Sequence, residues 1–205
     1  MTKNTSRDPV EFHFDFSSPF AYFAAQQIDD LAARHGRTVR WQPFLLGAVF
    51  KETGGRPITQ VPMKAGYALH DLARTARQHS IAWQLPDLFP FSSISPCRAF
   101  YWLEAQDPEA AKALAKALYR RAFTDGEGIS TPQQVVAVAE TLGHEAASVE
   151  AGMKDPVVKD HLRGVVQAAI DREIFGSPFF FVDGEPFWGH DRLAMLEAWL
   201  ETGGW

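Results

Sequence analysis

Ser18 lies in the stretch FHFDFSSPFAYFAA, at the point where a strand-like pattern gives way to a helix-like one. From Val10 to Phe16, apolar residues alternate with polar ones, which predicts a strand. A helix that begins directly after a strand presents unpaired N–H groups and about half a positive charge, which stabilise an anion such as a thiolate. Ser18 is therefore either a helix cap alone or a hydroxyl placed to act on a bound anion.

The chain has no thiol of its own at this position. It contains a single cysteine, Cys97, which excludes an intramolecular disulfide and a CxxC motif. We expect Cys97, which follows Ser95-Pro96 in a helical segment, to be an inert core thiol. A thiolate beside Ser18 would have to come from a ligand.

The predicted elements that position Ser18 follow the order β-α-β, a helical block, and then β-β-α. The first helix is expected to end near His35-Gly36, and Thr38–Phe44 predicts a second strand. An Asp183-Gly184 turn predicts a hairpin with Pro186 on an edge strand. A C-terminal helix is outlined by Leu193, Leu196, Trp199 and Leu200. This order is that of an α/β, thioredoxin-like fold with a large all-helical insertion, with residues 10–57 and 173–205 as the thioredoxin-like domain and 58–172 as the insertion.

Helix starts and apolar stripes support the helical block. A capping side chain precedes proline at Ser95-Pro96, Asp107-Pro108, Thr131-Pro132 and Asp155-Pro156, and Gln134 would complete a capping box with Thr131. Two stripes at helical spacing are predicted to be core. They comprise Val135, Val138, Ala139 and Leu142, and then Val157, Val158, Leu162, Val165, Val166, Ala169 and Ile170.

Composition narrows the function classes. The 205 residues are 46% hydrophobic and 22% charged, as in a soluble globular protein. A net charge of −5 gives no basic field for nucleic acid, and no stretch is apolar enough to span a membrane. The seven histidines show no metal-ligand spacing. We therefore expect a cytoplasmic protein that takes small organic ligands and has no metal, nucleic-acid or membrane partner.

Three motifs together carry a family resemblance. FDFSSPFAYFAA, TGGRP with VPMKAGY, and FGSPFFFVDGEPFWGHDRLAML resemble the 2-hydroxychromene-2-carboxylate isomerases and, more distantly, the kappa-class glutathione transferases. The first of them also resembles the entry of DsbA-type oxidoreductases with both thiols replaced. The resemblance spans nearly the whole chain and implies glutathione as the cofactor.

The resemblance assigns roles to the first and last motifs. It implies that Ser18 donates its hydroxyl to the glutathione sulfur, and that Ser177, before a cis Pro178, pairs its backbone with the cysteinyl part of glutathione. The backbone N–H groups at His190-Asp191 would receive the γ-glutamyl carboxylate, and the Asp191 side chain its ammonium. The alternatives are an ordinary X-Pro turn at residue 177 and a helix-stabilising acid at residue 191.

The middle motif offers one candidate cation and departs from the family pattern at one position. Lys64 would meet a carboxylate of glutathione or of the substrate, or else lie on a solvated helix face. Gly55 stands where the family commonly carries asparagine, so one hydrogen-bonding group of the site is missing. Asp15 is a candidate support for the Ser18 loop or a structural carboxylate. An apolar acceptor pocket, if it is not simply core, would be lined by Phe50, Tyr67, Phe89 and Phe91.

The implied reaction interconverts 2-hydroxychromene-2-carboxylate and trans-o-hydroxybenzylidenepyruvate in aromatic catabolism. A thiolate adds to the conjugated double bond, the resulting single bond rotates, and expulsion of the thiolate regenerates glutathione. The alternatives are a kappa-type transferase or peroxidase that consumes glutathione, and a redox-inactive protein that only binds thiols. We also expect a homodimer.

Overall fold

The elements follow the predicted order in a computed structural model that describes residues 8–205. The strands are β1 (Val10–Phe14), β2 (Val39–Pro43), β3 (Phe179–Val182) and β4 (Glu185–Trp188). The helices are α1 (Pro19–Ala25), α2 (Ile28–Arg34), α3 (Leu46–Thr53), α4 (Ala65–Gln78), α5 (Ile94–Glu104), α6 (Pro108–Phe123), α7 (Pro132–Thr141), α8 (Ala146–Lys154), α9 (Pro156–Asp171) and α10 (Leu193–Thr202). Short 3-10 turns cover Ile58–Gln60 and His190–Arg192.

A four-stranded sheet of order β2-β1-β3-β4 holds the two ends of the described chain together. β1 pairs parallel with β2 and antiparallel with β3, and β3 and β4 form the predicted hairpin. Asp183 and Gly184 both have positive φ, as a type I′ turn requires, and Pro186 lies on the edge strand β4. The thioredoxin-like arrangement is thus confirmed.

The central strand β1 is buried on both faces. Phe12 and Phe14 pack into the main hydrophobic cluster. The alternation in sequence suggests a polar second face, yet His13 is also buried. A second cluster on α3, α9 and β3, which includes Val49, Ala169 and Phe179, lies beyond the main one. Because both faces of β1 are buried, its polar side chains need hydrogen-bond partners within the protein. The ring nitrogen Nε2 of His13 lies 2.9 Å from a carboxylate oxygen of Glu11.

The helix predicted to run from Phe20 to His35 is two helices. The backbone leaves the helical conformation at Gln27, whose side-chain amide donates to the Phe23 carbonyl and contacts His190 at 2.8 Å. The second helix ends where predicted, with Gly36 at φ +67°. The break therefore links the first helical segment to the chain around residue 190.

Three of the four predicted caps are present. The side chains of Asp107, Thr131 and Asp155 cap α6, α7 and α9, and Thr131 forms the full capping box. The start at Ser95-Pro96 is wrong, because α5 begins two residues earlier, after Ser93. Ser93 does not cap its helix, since its hydroxyl donates to the carboxylate of Asp15.

The helical block packs directly on the sheet. Tyr119 and Phe123 of α6 lie in the same hydrophobic cluster as Phe14 of β1. A single buried cluster includes residues of both the thioredoxin-like segments and the helical insertion. The division of the chain into these two domains therefore stays a prediction. Of the predicted core stripes, Val157 and Leu142 are exposed, because each lies at a helix end where the stripe runs off the core. Among residues 8–205, no helix combines the length and the hydrophobicity that a membrane crossing needs.

Candidate active site

Ser18 is both a helix cap and a link to the opposite loop. Its Oγ accepts the N–H of Ala21 at 3.3 Å and donates to the carbonyl oxygen of Ser177 at 2.7 Å. The residue is 8% exposed and lines the main cavity. The hydroxyl therefore stands at the positive end of α1, beside the loop that the sequence pairs with it.

The Ser18 loop is anchored by Asp15. The Asp15 carboxylate accepts bonds from the N–H and the hydroxyl of Ser17, from the Leu46 N–H and from the Ser93 hydroxyl. Its backbone N–H donates to the Ser177 hydroxyl at 2.8 Å. Asp15 is thus a buried structural carboxylate that ties the β1–α1 loop to α3, to α5 and to the Ser177 loop.

A cavity of about 1350 Å³ opens in front of Ser18. Ligand pockets commonly measure about 300–1,000 Å³, so this one has room for more than one small molecule. All six residues that the sequence assigns to glutathione line it: Ser18, Lys64, Ser177, Pro178, His190 and Asp191. The cavity therefore brings together side chains that lie as far apart as residues 18 and 191 in the sequence.

The Ser177 loop presents free backbone polarity to this cavity. The Ser177-Pro178 peptide bond is cis, as the resemblance implies. Within residues 8–205, the Ser177 N–H has no hydrogen-bond partner, and the Ser177 carbonyl is bonded by the Ser18 hydroxyl. A peptide lying along this loop could pair with both groups.

His190 and Asp191 lie in a 3-10 turn that leads into α10, rather than in α10 itself. His190 is buried, contacts Gln27, and packs its ring edge-on against His79 with 4.8 Å between the centroids. Burial, and next the nearby His79, lowers the pKa of His190 to about 4. Asp191 is exposed and pairs with Arg192 at 2.7 Å. The N–H groups of His190 and Asp191 have no acceptor in the described part of the chain.

Three cationic side chains line the cavity without an ion-pair partner among the described residues. Lys64 is one of them, and sequence reasoning missed the other two, Lys51 and Arg56. Arg56 belongs to the TGGRP motif and Lys51 lies two residues before it, so their position in or next to this motif was the available signal. The three give this wall a charge suited to carboxylates.

Of the four aromatic residues predicted for an acceptor pocket, three line the cavity, and their acceptor role stays a prediction. Phe50, Phe89 and Phe91 line the cavity, whereas Tyr67 lies on the exposed surface of α4 and accepts a bond from Arg74. The residues that α4 contributes to the cavity are Asp71, Leu72 and Thr75. Phe20 also lines the cavity, although its helical spacing suggested only core.

Cys97 takes no part in the cavity. It is fully buried in α5, and burial raises the pKa of its thiol well above the usual value. No group of three or more metal-ligating side chains gathers in residues 8–205. The chemistry available at this site is therefore that of a hydroxyl, a helix end, free backbone groups and cations.

Comparison with known proteins identifies the family. The DSBA-like thioredoxin domain matches residues 9–201. Over 193 residues, the chain is 31% identical to the 2-hydroxychromene-2-carboxylate isomerase of Sphingobium xenophagum, covering 93% of this chain and 97% of that protein. The chain belongs to the 2-hydroxychromene-2-carboxylate isomerase family.

Structural similarity agrees with this membership. A solved structure of a 2-hydroxychromene-2-carboxylate isomerase superimposes with a TM-score of 0.83 at 30% identity, covering 94% of each chain. The glutathione S-transferase kappa 1 of Caenorhabditis elegans is 28% identical over 94% of this chain and 90% of its own. The family resemblance and the fold predicted from the sequence are both confirmed, and the kappa class is a relative as expected.

Proposed function

We propose that this protein is a glutathione-dependent isomerase that interconverts 2-hydroxychromene-2-carboxylate and trans-o-hydroxybenzylidenepyruvate. The observation that carries the proposal is the buried Ser18 hydroxyl at the start of α1, which faces a large cavity and bonds to the Ser177 carbonyl, next to a Ser177 N–H that has no partner among residues 8–205. The activity named for the relatives at 30–31% identity supports the choice of reaction.

The residues present fit glutathione. Ser177 offers a free N–H and a carbonyl to a cysteinyl backbone, and the free N–H groups of His190 and Asp191 suit a carboxylate. The Asp191 carboxylate suits an ammonium group, and Lys64 a second carboxylate. When bound, glutathione supplies a thiolate that adds reversibly to a conjugated double bond. The name of the kappa-class relatives supports this cofactor.

The side chains around Ser18 then hold protons and charge. The Ser18 hydroxyl turns its proton from the Ser177 carbonyl toward a sulfur, while Asp15 keeps the loop in place. The first turn of α1 adds the positive end of the helix, and the Phe20 N–H there has no partner in residues 8–205. Both effects stabilise negative charge at the sulfur, which lowers the pKa of a thiol.

Other residues that line the cavity are suited to bind the acceptor. Phe50, Phe89 and Phe91 exclude water from an aromatic ring, and the cations Lys51 and Arg56 balance its carboxylate. Such cations also oppose the negative charge that develops on an enone during thiolate addition.

The test follows cis-to-trans conversion of o-hydroxybenzylidenepyruvate by its ultraviolet spectrum, with and without glutathione. We expect turnover only with glutathione, and full recovery of glutathione at the end. Turnover that depletes glutathione would instead support a kappa-type transferase or peroxidase, which the kappa relatives make the second candidate. Glutathione binding by calorimetry with no turnover of any enone would leave a redox-inactive thiol-binding protein.

We further propose that the protein acts as a cytoplasmic homodimer on a small aromatic enone substrate. Glutathione as cofactor supports the compartment, because reduced glutathione is abundant in the cytosol. Light scattering coupled to size-exclusion chromatography tests the dimer, with a single peak of twice the chain mass as the expected result.

A further inference from the structure

The end of α3 contains a contact that only glycine permits. The helix stops at Thr53, Gly54 turns the chain with φ +71°, and Gly55 comes back over the helix. A Cβ atom added to Gly55 would lie 2.6 Å from Cδ1 of Phe50 and 3.1 Å from its Cε1. Non-bonded carbon atoms prefer about 3.5–4.0 Å, so the ring and a side chain at 55 exclude each other.

Space, rather than backbone geometry, requires this glycine. Unlike Gly54, Gly55 does not lie in the left-handed region, so its backbone conformation is open to any residue. At this position after a helix, an apolar side chain commonly contacts the last turn. Here the Phe50 ring lies directly against the Gly55 backbone instead.

The same ring is part of the cavity wall. Phe50 and Gly55 both line the cavity, and the Arg56 side chain that follows lines it as well. Phe89 and Phe91 line the cavity as well, with their own rings 6.4 Å apart. Because Phe50 contacts Gly55 and also lines the cavity, a side chain that displaced the ring from Gly55 would change the cavity wall.

We propose that Phe50, lying against Gly55, sets the width of the acceptor compartment, and that glycine at position 55 admits acceptors with fused aromatic rings. The inference rests on the proposed function in one respect, which is that the acceptor is an aromatic acid. Gly55 thus determines specificity through Phe50 and touches no reacting atom.

Equilibrium binding tests the inference without turnover. The probes are saturated 2-oxo acids that carry either a phenyl or a naphthyl group, titrated by calorimetry in the presence of glutathione. They cannot undergo conjugate addition of a thiolate, because they lack the conjugated double bond. For Gly55→Ala we expect the affinity for the naphthyl probe to fall about 10-fold or more, the effect of a group that no longer fits an apolar pocket, with the phenyl probe unchanged.

Two further variants make the result specific. Gly55→Ala with Phe50→Ala should restore naphthyl binding, because no ring is left to be displaced. Gly66→Ala is the matched control, since an added Cβ there meets nothing within 4 Å and Gly66 does not line the cavity. It should bind both probes as the parent does.

The outcomes separate this inference from the isomerase proposal. Three outcomes would overturn the role of Phe50 and Gly55. They are an equal loss of affinity for both probes, no loss of affinity for either probe, and a double variant that still binds the naphthyl probe weakly. If no enone is turned over but the ring-size pattern appears, the compartment is as inferred and the isomerase proposal fails. Glutathione-dependent turnover without the pattern would keep the isomerase and remove the inference.

Discussion

Comparing Ser18→Ala with Ser17→Ala distinguishes the two possible roles of Ser18, as a helix cap and as a hydrogen-bond donor to a thiolate. Ser18→Ala removes a cap bond of 3.3 Å and a 2.7 Å bond to the Ser177 carbonyl. A lost cap costs about 0.5–2 kcal/mol and an ordinary hydrogen bond about 0.5–1.5 kcal/mol, and the long cap bond favours the lower end. We therefore expect a loss of about 1–3 kcal/mol in the free energy of unfolding.

Ser17→Ala is the matched control. Its hydroxyl also lies beside the cavity and donates to the Asp15 carboxylate at 2.8 Å. A hydrogen bond to a charged group contributes about 1.5–3 kcal/mol, so the two variants should lose comparable stability. Urea unfolding of both variants checks this equivalence before any comparison of function.

The thiol pKa then decides the role of Ser18. Free cysteine-type thiols titrate near 8.5, and thiols at helix N-termini near about 3.5–7.5. A donated hydrogen bond to the thiolate of about 1.5–3 kcal/mol corresponds to about one to two pKa units. We expect the pKa of bound glutathione, followed by thiolate ultraviolet absorbance, to rise by that amount in Ser18→Ala and to stay unchanged in Ser17→Ala. Equal pKa values in all three proteins would refute a direct role and leave Ser18 as a cap.

Four other changes have definite expected outcomes. Asp191→Ala should weaken glutathione binding about 10-fold by calorimetry, while the free energy of unfolding changes by less than about 1 kcal/mol. The control is Asp160→Ala, which removes a similarly exposed carboxylate and should leave glutathione binding unchanged. The pKa of His190 is about 4 in the folded protein and 6.5 in the unfolded chain, so the unfolded chain binds the proton first as the pH falls. The free energy of unfolding should therefore decline by up to about 3 kcal/mol between pH 6.5 and pH 4. The same decline in a His190→Gln variant would contradict this. Neither the parent nor Cys97→Ala should reduce insulin disulfides, and reduction that survives in Cys97→Ala would disprove a site without its own thiol. Asp15→Asn should lower the melting temperature, because four hydrogen bonds lose their charged acceptor; an unchanged melting temperature would contradict the anchoring role of Asp15.

Local chemistry made much of this fold predictable from the sequence. The strand pattern at Val10–Phe14, the Asp183-Gly184 turn and the Thr131 capping box each depend on neighbours a few residues away, and each is present. Where sequence reasoning was wrong, a distant partner decided. The helix predicted to start at Ser95-Pro96 begins instead after Ser93, whose hydroxyl bonds to Asp15, 78 residues away.

The same distinction applies to the site. Motifs pointed to residues such as Ser177 and His190, and the cavity indeed includes them. They did not reveal that Ser18 is hydrogen-bonded to Ser177, or that a ring fills the place of the missing side chain at Gly55. Such contacts depend on how loops approach one another in space, which periodicity and capping signals do not encode.

The hydrogen bond between Ser18 and Ser177 joins residues 159 positions apart in the sequence. Because of this separation, the protein could be cut into two fragments that each carry one half of the site. The exposed turn at Gly143, between α7 and α8, would divide the chain so that each fragment holds one partner. Neither fragment alone contains both the helix end and the loop that the proposed thiol activation requires. Two partners fused to the fragments would therefore switch on glutathione-dependent chemistry only when they bring the fragments together.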